Sequence, residues 1–414
     1  MPKIGRFPPF GKRFFRKARK LVGSCHFAHF WRAVTAIAAM QGRRSLDKIK
    51  AACRKHTSRQ SIGFFLTQAH WNAPDILAQT AIDTLKTLGW QAGQAVQLIF
   101  DDTQKKKRGK RMDAVSNIFL HAEKVYAQGH TILGCAIVYR NVVIPYAVRL
   151  WVPKSFAEET QKKSYEGQPL TYRKLTELAA QIITDFPLQN VTVLFDAYYL
   201  CPTVTQVCQS RKYRYVGVAK KNRNFFADGR MRDKRKISKY GTNVLRRDGR
   251  NAMCRGKKYR LAQRVGRLSK LGRVTLVFSR RPREKSWICM ATNETRWGAV
   301  RVLSEYLNRW PIEVLFKESK QYLGLGDYQV LRYRGIERYL HLVLIAHLLL
   351  THQGIMDLGA QAEDTTKPLD LPSVPQLQQL LRGKIWDDTI NNMDASSRDR
   401  KIGKKLKNLI LLKT

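Results

Sequence analysis

Two aspartates, Asp101 and Asp196, each directly follow a short apolar run, VQLIF and VTVLF. Runs of that length and composition read as strands. Neighbouring strands would bring both carboxylates to one edge of a sheet. A single strand-end aspartate is commonly a turn former, so the pair carries the argument. A third acid lies in YLNRWPIEVLFKESKQYLGL, where Tyr306, Arg309, Glu313, Lys317 and Lys320 recur at gaps of 3, 4, 4 and 3. At about 100° per residue these five fall within roughly an 80° arc of one helix. Leu303, Leu307, Trp310 and Val314 form an adjacent apolar stripe, expected to pack on the core. The bland alternative is a surface helix laced with i,i+4 ion pairs such as Arg309–Glu313 and Glu313–Lys317. Pro311 falls inside this stretch as a kink or a fresh helix start. In either case Glu313, Lys317 and Lys320 share a face.

Three carboxylates from two strands and a helix cannot all stay ionised unless they are paired. A hard divalent cation resolves the conflict, and Mg²⁺ takes carboxylate oxygens and water. Two such ions can serve the attacking and leaving oxygens of a phosphoryl transfer. Competing acids are Asp102, next to Asp101, and Glu318, which lies about 140° from Glu313 around the helix.

Composition agrees with a phosphate-bearing partner. The 414 residues include 76 Lys and Arg against 31 Asp and Glu, a net charge of +45. That imbalance argues against an ordinary metabolic enzyme and for a polyanion bound through counterion release. With 44% hydrophobic and 10% aromatic residues, the chain has the means to build a core and is not a disordered basic tail. The seven cysteines include no C-x-x-C pair, which fits reduced thiols better than a disulfide frame or zinc ribbon. The basic N-terminus lacks the apolar stretch of a secretory signal. Leu340 to Leu350, the most apolar run, is too short to span a bilayer and reads as a buried core helix. His341 and His347 flank that core.

The elements that must position the acids follow in order. Residues 1–95 read as short basic helices, a form suited to DNA recognition. In that segment Asn72 or Asp75, beside Pro74, starts one helix, and His26 and His29 form plain helical surface. Strand signals begin at Val96. TILGCAIVYR and VVIPYAVRLWV, split by Asn141, form a hairpin. TYRKLTELAAQIITDF is a helix, VTVLF a strand, CPTVTQVCQSR a helix and RYVGVAK a strand. This order implies an α/β core with a mixed sheet against helices, covering 96–220 and resuming at 298–356. Between them, 221–297 reads as an inserted β-rich subdomain; residues 220–273 hold 20 Lys or Arg and three acids. One long helix is expected from Ala299 to about Leu323 and another from Ile336 to Met356. Residues 357–414 hold a polar loop, one more helix and a basic amphipathic tail. The run Lys105–Arg111, six basic residues in seven, reads as a phosphate-contacting loop.

These residues resemble a specific family. Tyr306, Arg309, Glu313 and Lys320 match the signature of bacterial insertion-sequence transposases of the DDE class, insertion-sequence-4 type. LIFDDT resembles that family's first aspartate motif and VLFDAYY its second. The 117-position interval from Asp196 to Glu313 is similar to the family's spacing, which holds a β-rich insertion. The resemblance spans about residues 96–350. It implies an RNase H-like catalytic domain with Asp101, Asp196 and Glu313 as the catalytic, metal-binding acids, holding two Mg²⁺ ions for which Mn²⁺ would substitute. Asp101 is preferred over Asp102 for its place two residues before Thr103. Tyr306, Arg309, Lys317 and Lys320 would grip DNA phosphates. The implied partners are double-stranded DNA, as element ends and target, and a second copy of the chain in a synaptic dimer. No membrane is implied, and the setting would be the bacterial cytoplasm and its nucleoid. The implied chemistry is strand cleavage by water, then attack of freed 3′-OH groups, through a hairpin in the relatives that form one. Trp297 falls where relatives can stack a tryptophan on a flipped base, though a core role fits it better. The alternatives are a nuclease of the same fold without strand transfer, and an inactive DNA-binding regulator derived from a transposase.

Overall fold

The computed structural model describes residues 11–53, 58–109, 111–120, 123–162, 167–228, 235–359 and 367–396. The basic tail, the first ten residues and Lys110 of the Lys105–Arg111 run lie outside these. The chain divides into two compact units.

One unit comprises residues 1–89, 111–113 and 316–414. Its described elements are helices Gly11–Val22, Ser24–Ala39, Leu46–Ala52, Arg59–Thr67, Ala73–Thr87, Tyr333–Leu358 and Val374–Ser396. Their starts follow local chemistry. Asn72 caps its helix by accepting from the Asp75 N–H at 3.3 Å, with Pro74 in the first turn where a missing N–H is harmless. Ser58 and Ser61 form a reciprocal capping box. Helix Tyr333–Leu358 is apolar and long enough to cross a membrane by length and composition, but its most apolar window is 94% buried inside the protein. A helix apolar all round belongs in a core, as the sequence predicts for Leu340–Leu350. Two buried arginines tie this unit together through helix-end carbonyls. Arg338 donates to Leu66 O at 3.0 Å and Trp71 O at 2.9 Å, and its guanidinium lies 4.9 Å from the Trp71 ring. Arg44 donates to Met40 O and Tyr322 O, and Tyr339 Oη donates to Arg44 O at 2.9 Å. Cations at helix C-termini meet both the unpaired carbonyls and the helix dipole. His26 and His29 lie beside the Phe65 ring.

The second unit, residues 90–110 and 114–315, is built on a sheet. Its strands are β1 (Val96–Lys106), β2 (Ser116–Leu120), β3 (Val125–Tyr139), β4 (Val142–Leu150), β5 (Val191–Phe195), β6 (Arg214–Val218), β7 (Asn224–Ala227), β8 (Arg235–Lys236), β9 (Arg250–Cys254), β10 (Lys257–Leu268), β11 (Gly272–Arg280) and β12 (Ile288–Thr292). β3 pairs antiparallel with β1, β2 and β4. β1, β5 and β6 run parallel to one another. The β3–β4 turn places Arg140 and Asn141 at φ 50 and 67, the doubly left-handed backbone of a two-residue hairpin. All five residues of β5 are buried, as a strand covered on both faces requires. Gly217 of β6 allows the Phe195 ring to approach; a Cβ there would meet that ring at 2.4 Å.

Residues 221–297 contribute β7 to β12 and helix Ile237–Asp248. β12 bonds to β6, so the sheet continues without a break into this basic segment. The long helix expected from Ala299 to Leu323 is instead two, Ala299–Leu307 and Pro311–Tyr322. Pro311 ends one and starts the other, since proline excludes the preceding residue from the helical region and suits a first turn. The expected apolar stripe breaks with it: Leu303 is buried, but Trp310 and Val314 are 61% and 38% exposed.

His347 and His352 are buried on helix Tyr333–Leu358, and burial pushes both imidazoles down to about 4. The unfolded chain binds protons near 6.5, so stability is complete above that pH and is lost as pH falls towards 4. Urea unfolding followed by far-UV circular dichroism should show a loss of about 2 kcal/mol per histidine between pH 7 and pH 5. His347→Leu should roughly halve that dependence, leaving the part due to His352.

Candidate active site

β1 outruns β5. Their parallel pairing ends at Ile99 with Leu194, and the same register carried two residues further sets Asp101 opposite Asp196. Asp101 keeps its other neighbour, Gly134 of β3. Asp196 leaves the sheet in a tight turn, its Oδ1 accepting from the backbone N–H groups of Tyr198 at 2.8 Å and Tyr199 at 3.3 Å. Only Asp196 follows a strand end as expected; β1 continues past Asp101 to Lys106, because its pairing with β3 extends that far.

Arg309 joins the third acid to the first. One guanidinium nitrogen donates to Asp101 Oδ2 at 2.9 Å and another to Glu313 Oε1. The side chains of Arg309 and Asp101 are only 14% and 19% exposed. Tyr306 lies against the same guanidinium, 5.9 Å from ring centroid to Cζ. Burial and, beyond it, nearby acids raise the Tyr306 phenol, against the pull of Arg309. Burial would lower the Arg309 guanidinium, but Tyr306, Glu313 and Asp101 outweigh it and raise it.

Asp101 is the perturbed acid of the group. Burial pushes its carboxyl up to about 6, helped by the charges of Asp102 and Asp196 and opposed by Arg309 and the Asp102 N–H. Alternation along β1 sends Asp102 to the opposite side, where its Oδ1 accepts from Tyr199 Oη at 3.0 Å. Tyr199 is 1% exposed and touches both aspartate segments, through its N–H to Asp196 and its hydroxyl to Asp102. It was invisible as a site residue in the sequence, where its only signal is the spacing D-x-x-Y.

Glu313 begins helix Pro311–Tyr322; Lys317 and Lys320 follow in its C-terminal half, which belongs to the helical unit. Lys317 is exposed. Burial pushes the Glu318 carboxyl up, against a bond from the Val374 backbone. A second tie, also unseen in the sequence, runs parallel to the Arg309–Asp101 bond: Gln97 Nε2 donates to Glu305 Oε2. Gln97 and Glu305 each precede their partner in the first tie by four residues.

Among the described residues, no three His, Cys, Asp or Glu side chains are grouped closely enough to hold a metal ion. Arg309 stands between two of the acids instead. The donor set nonetheless has the chemistry for a hard divalent cation: Asp101, Asp196 and Glu313 supply only carboxylate oxygens. Burial outweighs the pull of the one guanidinium beside Asp101, so its carboxyl stays raised. The Nε of Arg309 is buried with no hydrogen-bond partner among the described residues, so its guanidinium is not fully satisfied where it stands.

The family model described as DDE superfamily endonuclease matches residues 27–275, more than half of the chain. The match includes Asp101 and Asp196 and stops short of the Tyr306–Lys320 segment. No curated protein matches the sequence.

A carboxylate raised above its unfolded value costs stability at neutral pH, and the cost is relieved as pH falls through the folded pKa. For Asp101 the cost is fully present above pH 6. Asp101→Asn keeps the shape and removes the charge. In chelator-treated protein at pH 7 it should stabilise the fold by roughly 1–3 kcal/mol. Urea melts at pH 7 and pH 4.5 check this, and the gain should fall to about a third at the lower pH, where the unfolded carboxyl is still mostly ionised.

Proposed function

We propose that this chain, which belongs to the DDE superfamily of endonucleases, is a DNA transposase that cuts and rejoins strands at the ends of an insertion sequence. The observation that carries the reading is the convergence of Asp101 and Glu313 on Arg309, with Asp196 set opposite Asp101 by the β1–β5 register. These are the acids that the DDE-type motifs single out, drawn from three separate chain segments. The order β4–β3–β1–β5–β6, with β5 and β6 parallel to β1, supports an RNase H-like core. The Tyr306-Arg309-Glu313-Lys320 spacing supports the insertion-sequence-4 type, and the net charge of +45 suits a chain that must hold element ends and target DNA together, as a homodimer.

Asp101, Asp196 and Glu313 would hold the divalent ions, Mg²⁺ or Mn²⁺. Such ions supply Lewis acidity at the phosphorus centre and lower the pKa of bound water. The chain's own residues provide the rest. Tyr199 fixes the spacing of the two aspartate segments through its two hydrogen bonds. Arg309 would exchange carboxylate partners for a phosphate oxygen, to which a guanidinium offers the same fork of donors. Tyr306, against that guanidinium, limits its swing. Lys317 and Lys320, in the helical unit, would contribute phosphate contacts of their own. Each chemical step is an in-line displacement at phosphorus, so one cluster of acids can serve strand nicking by water and joining by a 3′-OH.

The deciding experiment is cleavage of a supercoiled plasmid carrying the element's ends, with Mg²⁺ or Mn²⁺. Wild type should cut at the ends. Asp101→Asn, Asp196→Asn and Glu313→Gln should each lose about 10³-fold in rate while still binding DNA. That factor corresponds to several kcal/mol at 1.36 kcal/mol per tenfold. Cuts unrelated to the ends would identify a general nuclease. Binding without cutting by wild type would identify a regulator.

A further inference from the structure

A cavity of about 320 Å³ opens in the sheet unit away from the carboxylates, at the start of β1. Its walls are Gln97, the β3–β4 turn with Arg140, Arg214 of β6, Trp297, and Arg301 and Glu305 of helix Ala299–Leu307. Its volume sits at the lower end of the range for ligand sites. The chemistry of the walls is lopsided. Three arginines face one acid, and that acid, Glu305, already accepts from Gln97.

Two of the arginines crowd one ring. The guanidinium carbon of Arg301 lies 4.3 Å from the Trp297 ring centroid and that of Arg214 lies 5.8 Å away. Trp297 itself is 6% exposed, so its ring braces cations and is not an open platform for a base. Each cation gains about 0.5–1 kcal/mol from the ring. Arg214 is further fixed, its Nε donating to Thr192 Oγ1 at 3.3 Å and another nitrogen to Asn190. Guanidiniums braced on one ring, with neutral partners for Arg214, suit an anion, with which they form charge-assisted hydrogen bonds.

The cavity shares its side of the sheet with the acids. Gln97 and Asp101 are four residues apart on β1, so their side chains point the same way. They engage Glu305 and Arg309 respectively. Four residues of strand span about 13 Å. At about 3.4 Å of axial rise per charge on one DNA strand, that is three to four nucleotides.

We propose that this arginine-walled cavity is a second phosphate subsite, which takes a backbone phosphodiester of the DNA three to four nucleotides from the one at the carboxylates. It would set the register of the strand on the sheet, so that the scissile phosphate falls on the acids. The proposal rests on the reading of the chain as an enzyme acting on DNA. The charge of the walls and the shared sheet side favour a DNA backbone over a free nucleotide.

The test uses full-length protein and end-bearing duplexes that carry a single uncharged methylphosphonate at successive positions. Binding is measured without metal, for wild type, for Arg140→Gln/Arg301→Gln, and for Arg246→Gln/Arg247→Gln as a control on the exposed face of helix Ile237–Asp248. Wild type should lose affinity about tenfold at one position three to four nucleotides from the cut. The Arg140/Arg301 variant should lose nothing further there and should show a salt slope smaller by about one to two. The control should weaken binding at all positions alike and keep the wild-type sensitivity. If no position distinguishes wild type from the Arg140/Arg301 variant, the subsite is wrong, although binding and cutting of DNA would still stand. Loss of affinity for a mononucleotide in that variant, with an unchanged methylphosphonate profile, also overturns it. Absence of DNA binding by wild type would instead remove the underlying reading.

Discussion

The site depends on one cation held between two acids. Arg309 ties Asp101 on a strand to Glu313 on a helix more than two hundred residues later. A pair this buried gains little net stability, because the cost of removing charges from water nearly cancels the attraction. Its consequence is positional: the guanidinium fork fixes where the two carboxylates point. Burial outweighs that one positive charge, and Asp101 stays raised to about 6. The chain thus keeps a buried carboxylate where its charge is costly. A sequence selected only for stability would remove that aspartate's charge.

The sheet supplies the second constraint. Parallel pairing of β1 with β5 makes the relation of Asp101 to Asp196 a matter of register, and a slip by one residue would turn Asp101 to the opposite side. Several features guard the register. β5 is buried along its whole length, Phe195 fills the space left by Gly217, and Tyr199 bonds to both aspartate segments. None of these touches a reacting atom, yet each limits how far the acids can drift.

Much of this was legible in the sequence because it depends on local pattern. Apolar runs ending in aspartate marked β1 and β5, the split at Asn141 marked the hairpin, and the spacing of Arg309 and Glu313 marked an ion pair. What was not legible depends on pairing between distant segments. The bond from Arg309 to Asp101 and the tie from Gln97 to Glu305 require knowing which side of β1 faces which helix. The apolar stripe misled for a related reason. It assumed one continuous helix through Pro311, and the break there turned Trp310 and Val314 to solvent. The basic segment 221–297 could be read as β-rich from its composition, but only the β6–β12 pairing shows that it extends the same sheet.

That break is itself part of how the site is assembled. An unbroken helix would fix Arg309 and Glu313 on one rigid rod with Tyr306 and Glu305. With the helix ending at Leu307 and restarting at Pro311, residues 308–310 can bend to follow the twist of the sheet. The upstream helix then docks on β1 through Glu305 and Gln97, while Arg309, in the turn, reaches Asp101 four residues further along the same strand. Matching intervals of four on a strand and on a helix-and-turn do not span equal lengths, since a strand rises about 3.3 Å per residue and a helix 1.5 Å. The turn itself stays coiled, with the Asn308 N–H on Glu305 O and the Arg309 N–H on Tyr306 O, so the long Arg309 side chain spans the difference. With the upstream helix ended at Leu307 and the next begun at Pro311, Arg309 sits in the turn, from which its side chain reaches both Asp101 and Glu313.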